Sequence, residues 1–581
     1  MIVDMRKIVL RLLPVLSFSL LPAQSLPPAV TDFLGTLQGQ AATNPRGMTP
    51  ALLWVQRHAD ELTPAQKQIL EQQGFLRSSD RQRLNRSEAE GLDQFLDTPF
   101  FRIHYTTTGT NAVAAEDLNQ NSVPDYIDDI AAVFDSVYTV LVDQLLYYPP
   151  PGDGWVSTGN GGNGLYDIYV RNIQLGYYGY TQSEYFAQNT GDNEQSPTKE
   201  QNALTSYMAL RNSYSGFPHS ARQNIRVTAA HEFFHAIQFG YDGYEAIWLL
   251  EATAVWMEEV MFDNINDCYQ YMPTWFQAPE LSLDAYGIHM YGSYIFFRYV
   301  DENWNGKPLI RAIFDASVHY DSQEGTYDFQ AIRDACDLHH LDFRDLFNGM
   351  VMANRIFSPV QSASPYRYRE AHQYPVDGPT ISRTIHGDTT FTSSALRKYG
   401  SQYFDLDIDH PVRVTLSAVD GHHQNVKALG MVATSPNDFV VYQGWDFTLP
   451  SGTYADWISL AVAAQDTQSV NYQYRLSIQA ASTTNAPAVI VSAPYPNPGP
   501  DRTGKLYFTL ETADLMDVSA RIIDLQGRQV ATLFPSQAMQ GQKILSWNGR
   551  STDGQVSPSG VYWLEVSTPG QIRGIQFTWR K

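Results

Sequence analysis

Apolar residues recur every three or four positions in two parts of the chain and at alternate positions in two others, so the hydrophobic pattern divides it before any motif is read. Positions 52–55 and 65–76 predict helices in a Gln- and Arg-rich stretch, 26–98, broken by Pro and Asn-Pro pairs. From Phe100 the pattern changes. Phe101-Arg102-Ile103-His104-Tyr105 alternates and predicts a strand, and 165–170 and 177–181 extend the same sheet. A strand at the edge of that sheet would take up an extended peptide as one strand more. Helical spacing follows over 222–239, with Ile225, Ala229, Phe233 and Ile237 forming an apolar stripe, and over 245–262, with Asp242-Gly243 as the turn between. It continues through 294–300, 309–314, 329–336 and 343–352. Strands first and helices afterwards predict an α+β domain over 99–365. Short strands at 403–408, 412–416, 438–442, 458–462 and 472–478 predict a β-sandwich over 366–480, and 481–488 reads as a linker before a last all-β unit, 489–581.

The first 25 residues stand apart. Arg6 and Lys7 precede an apolar run over 8–21, interrupted by Arg11, and the small residues Ala23 and Ser25 close it. That is the order of a secretory signal, too short and too interrupted to span a bilayer. No other run reaches about eighteen apolar residues, so no transmembrane segment is expected in the mature chain. At 581 residues the chain exceeds one core, consistent with several domains of roughly 150 residues. Its net charge of −22 excludes a nucleic-acid partner, since nothing here would replace the counterions of a phosphate backbone. The two cysteines, Cys268 and Cys336, are too far apart in sequence to say whether they pair.

Within the first of the two helices after the strands lies His231-Glu232-Phe233-Phe234-His235. Histidines four apart on a helix project from one face, close enough for both imidazoles to meet one metal ion. Glu232 is then placed as general base for a metal-bound water. Catalytic zinc takes three protein ligands and keeps a fourth position open, and Glu251 on the following helix is the natural third, with Glu258 or Glu259 as alternatives. Zinc brings the pKa of a bound water towards about 7, and Glu232 would take that proton and return it to the leaving amine. His289 and Tyr291 are candidates for donating to the tetrahedral oxyanion. These residues point to a zinc hydrolase.

A second ion is suggested by Asp117, Asn119, Asn121, Val123, Asp125 and Asp128, which supply oxygens at loop positions 1, 3, 5, 7, 9 and 12 in the ligand order of a calcium loop. Ser122 replaces the usual Gly, and Asp128 the usual Glu. An Asn/Asp turn capping the next helix is the other reading of the same residues. The glycine run 159–164 lacks the Gly-Lys-Ser/Thr ending of a phosphate loop and reads as a turn.

With His231-Glu232-x-x-His235 followed by Trp248-Leu249-x-Glu251-x-x-Ala254-x-x-x-Glu258, the chain resembles the gluzincin metallopeptidases. That resemblance implies a zincin-like domain over 99–365, zinc held by His231, His235 and Glu251, and Glu232 as base. Residues 489–581, with Tyr495-Pro496-Asn497-Pro498, Asp524-Leu525-Gln526-Gly527, Trp547-Asn548-Gly549 and Ser559-Gly560-Val561-Tyr562, resemble the sorting domain of the type IX secretion system of Bacteroidetes-like bacteria. This implies dealings with that machinery and a destination that is secreted or attached to the outer cell surface. The whole arrangement is similar to the exported metalloproteases of the MXAN-type group. The expectation is an exported zinc endopeptidase acting on a protein or peptide. A zinc aminopeptidase and a catalytically inactive surface adhesin on a zincin scaffold are the competing readings, and 26–98 is either a propeptide or a helical layer of the enzyme.

Overall fold

The computed structural model describes residues 26–580 apart from 45, 77–90, 157–159, 174–175, 188–199, 201, 319–327, 360–364, 394–395, 436–437, 453–454, 467–470, 482–488, 493, 502, 525–527 and 569–570. The expected secretory signal, 1–25, and nearly all of the expected linker fall outside the described residues.

Three short helices open the described chain: α1 Pro28–Thr36, α2 Met48–Arg57 and α3 Pro64–Gln72. Thr63 starts α3 through a capping box with Gln66, each side chain satisfying the other's backbone N–H. The sheet begins earlier than the alternation at Phe101 suggests. Strand β1, Gln94–Asp97, pairs antiparallel with β2, Phe101–Tyr105, so residues 94–97 belong to the sheet and not to the helical amino-terminal stretch. Helix α4, Asp125–Tyr138, follows, then β3 Tyr166–Arg171, β4 Gly179–Phe186 and β5 Leu204–Arg211. The strand order is β1-β2-β3-β5-β4, with β2, β3 and β5 parallel and β4 antiparallel at the edge.

Helix α5, Ala221–Tyr241, starts at Ser220, whose hydroxyl accepts from Gln223 N while the Gln223 side chain accepts from Ser220 N. Helix α6, Ile247–Phe262, returns after the Asp242-Gly243 turn. The apolar stripe expected on α5 is buried, but so is the opposite face: every residue from Val227 to Phe239 is inaccessible. This helix is sandwiched on all sides, against β4 and β5, α4 and α6. Gly179 on β4 shows how close the approach is, since a Cβ there would stand 2.9 Å from Thr228 Cγ2 and 3.7 Å from Glu232 Cγ.

Helices α7 Met272–Gln277, α8 Ile288–Gly292, α9 Tyr294–Trp304, α10 Lys307–Ser317, α11 Asp328–Leu338 and α12 Phe343–Ile356 complete the layer. Cys268 and Cys336 are both free, buried thiols. The next unit stacks a four-stranded sheet (446–449, 412–418, 474–480, 389–392) on a five-stranded one (438–444, 426–435, 457–464, 401–406, 381–385). The outer face of the five-stranded sheet rests on α12, where Tyr403 donates to Val351 O at 2.9 Å and Arg355 pairs with Asp405 at 3.0 Å. In the last unit, expected as a sandwich, the described strands join one hydrogen-bonded sheet. Its two longest strands, Leu506–Asp524 and Gln529–Trp547, shift register between Thr512 and Met516, and such irregularities bend a ladder so that it can enclose its own core.

Candidate metal centre

His231 and His235 lie one turn apart on α5, with ring centroids 4.8 Å from each other, and Glu251 on α6 reaches between them. Glu251 Oε2 is 3.4 Å from His231 Nε2 and Glu251 Oε1 is 3.3 Å from His235 Nε2. One ligand atom from each residue lies within 4.8 Å of the other two. His231 Nε2, His235 Nε2 and Glu251 Oε2 are buried and form no hydrogen bond. Buried polar atoms are rarely left so, and three converging on one point fit a cation.

The opposite ring nitrogens are tied down. His231 Nδ1 is 2.8 Å from Glu258 Oε1, and His235 Nδ1 is 2.8 Å from Gln238 Oε1. Gln238 donates in turn to Thr253 Oγ1 at 2.8 Å and to Leu250 O at 3.1 Å. A histidine that donates one N–H to an oxygen presents the other nitrogen as a lone pair, which is how outer groups orient metal-binding imidazoles. Glu258 therefore stands behind His231 and not in the ligand set. Glu259 faces Arg298 at 3.5 Å.

Burial opposes charge on His231, but Glu251 and Glu258 overcome it and lift the imidazole to about 9. Burial likewise opposes charge on Glu251, and His235 and His231 hold it down at about 2. A cation binding here therefore competes with a proton on His231.

Glu232 is fully buried. Its Oε2 accepts from Thr49 Oγ1 and from Thr181 Oγ1, each at 2.9 Å, while Oε1 has no hydrogen-bond partner. One oxygen is anchored and the other is left to exchange a proton. Tyr291, on α8, is also fully buried; burial pushes its hydroxyl up strongly, helped by the charges of Glu251 and Glu232. Its ring stacks on Tyr271 at 5.1 Å between centroids, and its hydroxyl has no hydrogen-bond partner. His289, on the same short helix, stacks on Trp275 at 5.7 Å between ring centroids, and burial lowers it to about 4, against the opposing charge of Asp284.

The loop 117–128 closes on itself by hydrogen bonds. Asp117 accepts from the backbone of Asn121 and Ser122, at 3.1 and 2.9 Å, and Asp125 accepts from Leu118 N. Val123 N donates to Asn121 Oδ1 at 2.8 Å. Ser122 takes φ +71°, the left-handed turn for which Gly is usual. Asn119 and Asn121 direct their amide nitrogens at Asp128 Oδ2, at 2.8 and 2.9 Å, so calcium would require both amides to turn their oxygens inward. Asp125 and Asp128 also sit in the first turn of α4.

Reading the sequence missed Thr49, Thr181 and Arg46 around the centre. Thr49 and Glu232 are separated by 183 positions, and no local pattern links them.

No family model matches this chain, and no curated protein matches it. Among solved structures it is similar to PorZ, an essential bacterial surface component of the type IX secretion system of Porphyromonas gingivalis, at 20% identity over 26% of this chain and 22% of that one, with a TM-score of 0.13. It is also similar to Bacteroides uniformis β-glucuronidase 3, at 10% identity over 31% and 27% of the two chains and a TM-score of 0.16. Ruminococcus gnavus β-glucuronidase matches at 9% identity over 34% and 37%, with a TM-score of 0.14. The chain thus spans well under half the length of these proteins, and at such scores the likenesses define no shared fold. No helix among the described residues is long and apolar enough to cross a membrane.

Proposed function

We propose that this chain is an exported zinc-dependent endopeptidase. The observation that carries the reading is the set of three unpaired ligand atoms, from His231, His235 and Glu251, converging in a buried site. When bound, zinc supplies Lewis-acid activation of a water and of the scissile carbonyl. The chain's own residues do the rest. Glu258 and Gln238 fix the two imidazoles; Glu232 Oε1 takes a proton from the attacking water and returns it to the leaving nitrogen; the Tyr291 hydroxyl donates to the oxygen that gains charge. The likeness of 489–581 to a type IX sorting domain supports passage to the outer surface. Internally quenched peptides with both ends blocked test the reading. Cleavage that disappears with a chelator and returns with zinc is expected; cleavage of free-amine peptides alone would favour the aminopeptidase, and zinc binding without cleavage, in the full chain and in one whose amino-terminal helices have been displaced alike, the adhesin.

Calcium in the 117–128 loop is a subordinate part of this proposal. A rise in melting temperature on adding calcium, absent in Asp117→Ala, is expected; equal curves with and without the ion would remove it.

A further inference from the structure

The amino-terminal helices reach into the metal centre. Thr49, in the first turn of α2, donates to Glu232 Oε2 at 2.9 Å and accepts from Thr181 N of the edge strand β4 at 3.0 Å. Arg46, 1% exposed, enters behind His231. Its guanidinium lies 3.6 Å from Glu258 Oε2 and 3.4 Å from Asp267 Oδ2, donates to Thr228 Oγ1 at 3.1 Å, and sits 4.4 Å over the Tyr178 ring. Further along α2, Gln56 accepts from Ser183 of β4. One segment therefore touches the base, the partner of a ligand and the edge strand.

A peptide entering this site needs those same places. Its carbonyl must come within reach of Glu232 and Tyr291, and an extended chain beside β4 needs that strand's outward amides. Thr181 N already donates to Thr49. Every residue from Met48 to Val55 is buried, and His231, Glu232 and His235 are 0% exposed with Glu251 at 1%. The sheet and helices α4 to α6, which carry the ligands, have their strand ladder complete without α2. A segment tethered to the cleft competes at an effective concentration in the millimolar range, which a free substrate rarely matches.

We propose that residues 26–76 are an intramolecular latch that keeps the centre shut, so that the chain is latent until the segment is displaced or cut away. The latch rests on the peptidase reading, and Thr49 is its contact with the base.

Thr49→Asp tests it on the full chain. The new carboxylate would face Glu232 in a buried site, where two like charges cannot both be accommodated, and should drive α2 out. Three readouts separate the outcomes: zinc content, trypsin cleavage after Arg57, whose guanidinium is now held by Gly243 O and Glu245 O, and hydrolysis of blocked peptides. The expected result is that T49D keeps its zinc, is cut after Arg57, and hydrolyses peptides at least about tenfold faster than wild type as the open population grows. A wild-type chain that already cleaves at the T49D rate overturns the latch and leaves the peptidase reading standing. So does loss of zinc or folding in T49D, which would make the segment a structural layer, or a T49D chain that stays protected at Arg57 with no gain in rate. A T49D chain that holds zinc, opens at Arg57 and cleaves nothing overturns the peptidase reading instead.

Discussion

Glu232→Gln is expected to bind zinc as the wild type does and to hydrolyse peptides about 10²–10⁴-fold more slowly, the range that a positioned general base contributes. The substitution keeps the shape of the side chain. Its anchored oxygen can still accept from Thr181, and from Thr49 while the amino-terminal segment is in place, so the surroundings of the helix are preserved. What is lost is the proton acceptor at the second position, the Oε1 atom that makes no hydrogen bond in the buried cleft. The comparison should be made on chains whose amino-terminal segment has been displaced, with kcat and KM taken separately, because loss of a proton acceptor acts on kcat. A drop smaller than about tenfold, with zinc retained, would mean that another group takes the proton.

Glu251→Ala should be the more damaging change for the metal. It removes one of three ligands and the carboxylate that bridges two buried imidazoles, at 3.4 and 3.3 Å. Zinc occupancy after dialysis should fall to background. The metal-free protein should also lose stability on the order of 3–5 kcal/mol, the usual cost of breaking a buried ion pair from one side. Retained zinc would return Glu258 to consideration as a ligand. In the wild type the metal competes with the proton on His231, which Glu251 and Glu258 lift to about 9. Below that value the proton must leave before zinc binds, so apparent affinity should rise with pH, roughly tenfold per unit, up to about pH 9.

The two histidines and Glu232 were legible because helical spacing is local, and Ser220 with Gln223 marks where α5 begins. Glu251 was legible because one short turn separates the helices. The function of Glu258 was not: whether a carboxylate two turns past Glu251 binds the metal or braces an imidazole depends on which ring nitrogen it meets. Strand β5 escaped notice since all eight of its residues are buried, Thr205 and Ser206 included, leaving no alternation to find. Strand 426–435 is hidden for a related reason: one of its faces lies in the sandwich core while Leu429 and Met431 pack with the helical layer. Apolar spacing marked one buried face of α5, but it cannot reveal that the polar face is buried as well. That the amino-terminal helices cover this polar face is a matter of contacts nearly two hundred positions apart.

Anomalous diffraction at the zinc edge, from crystals of the full chain grown with zinc, tests the central claim most directly. The account predicts one peak about 2.0–2.2 Å from His231 Nε2, His235 Nε2 and a Glu251 carboxylate oxygen. An empty site there, or zinc bound elsewhere on the chain, would contradict it.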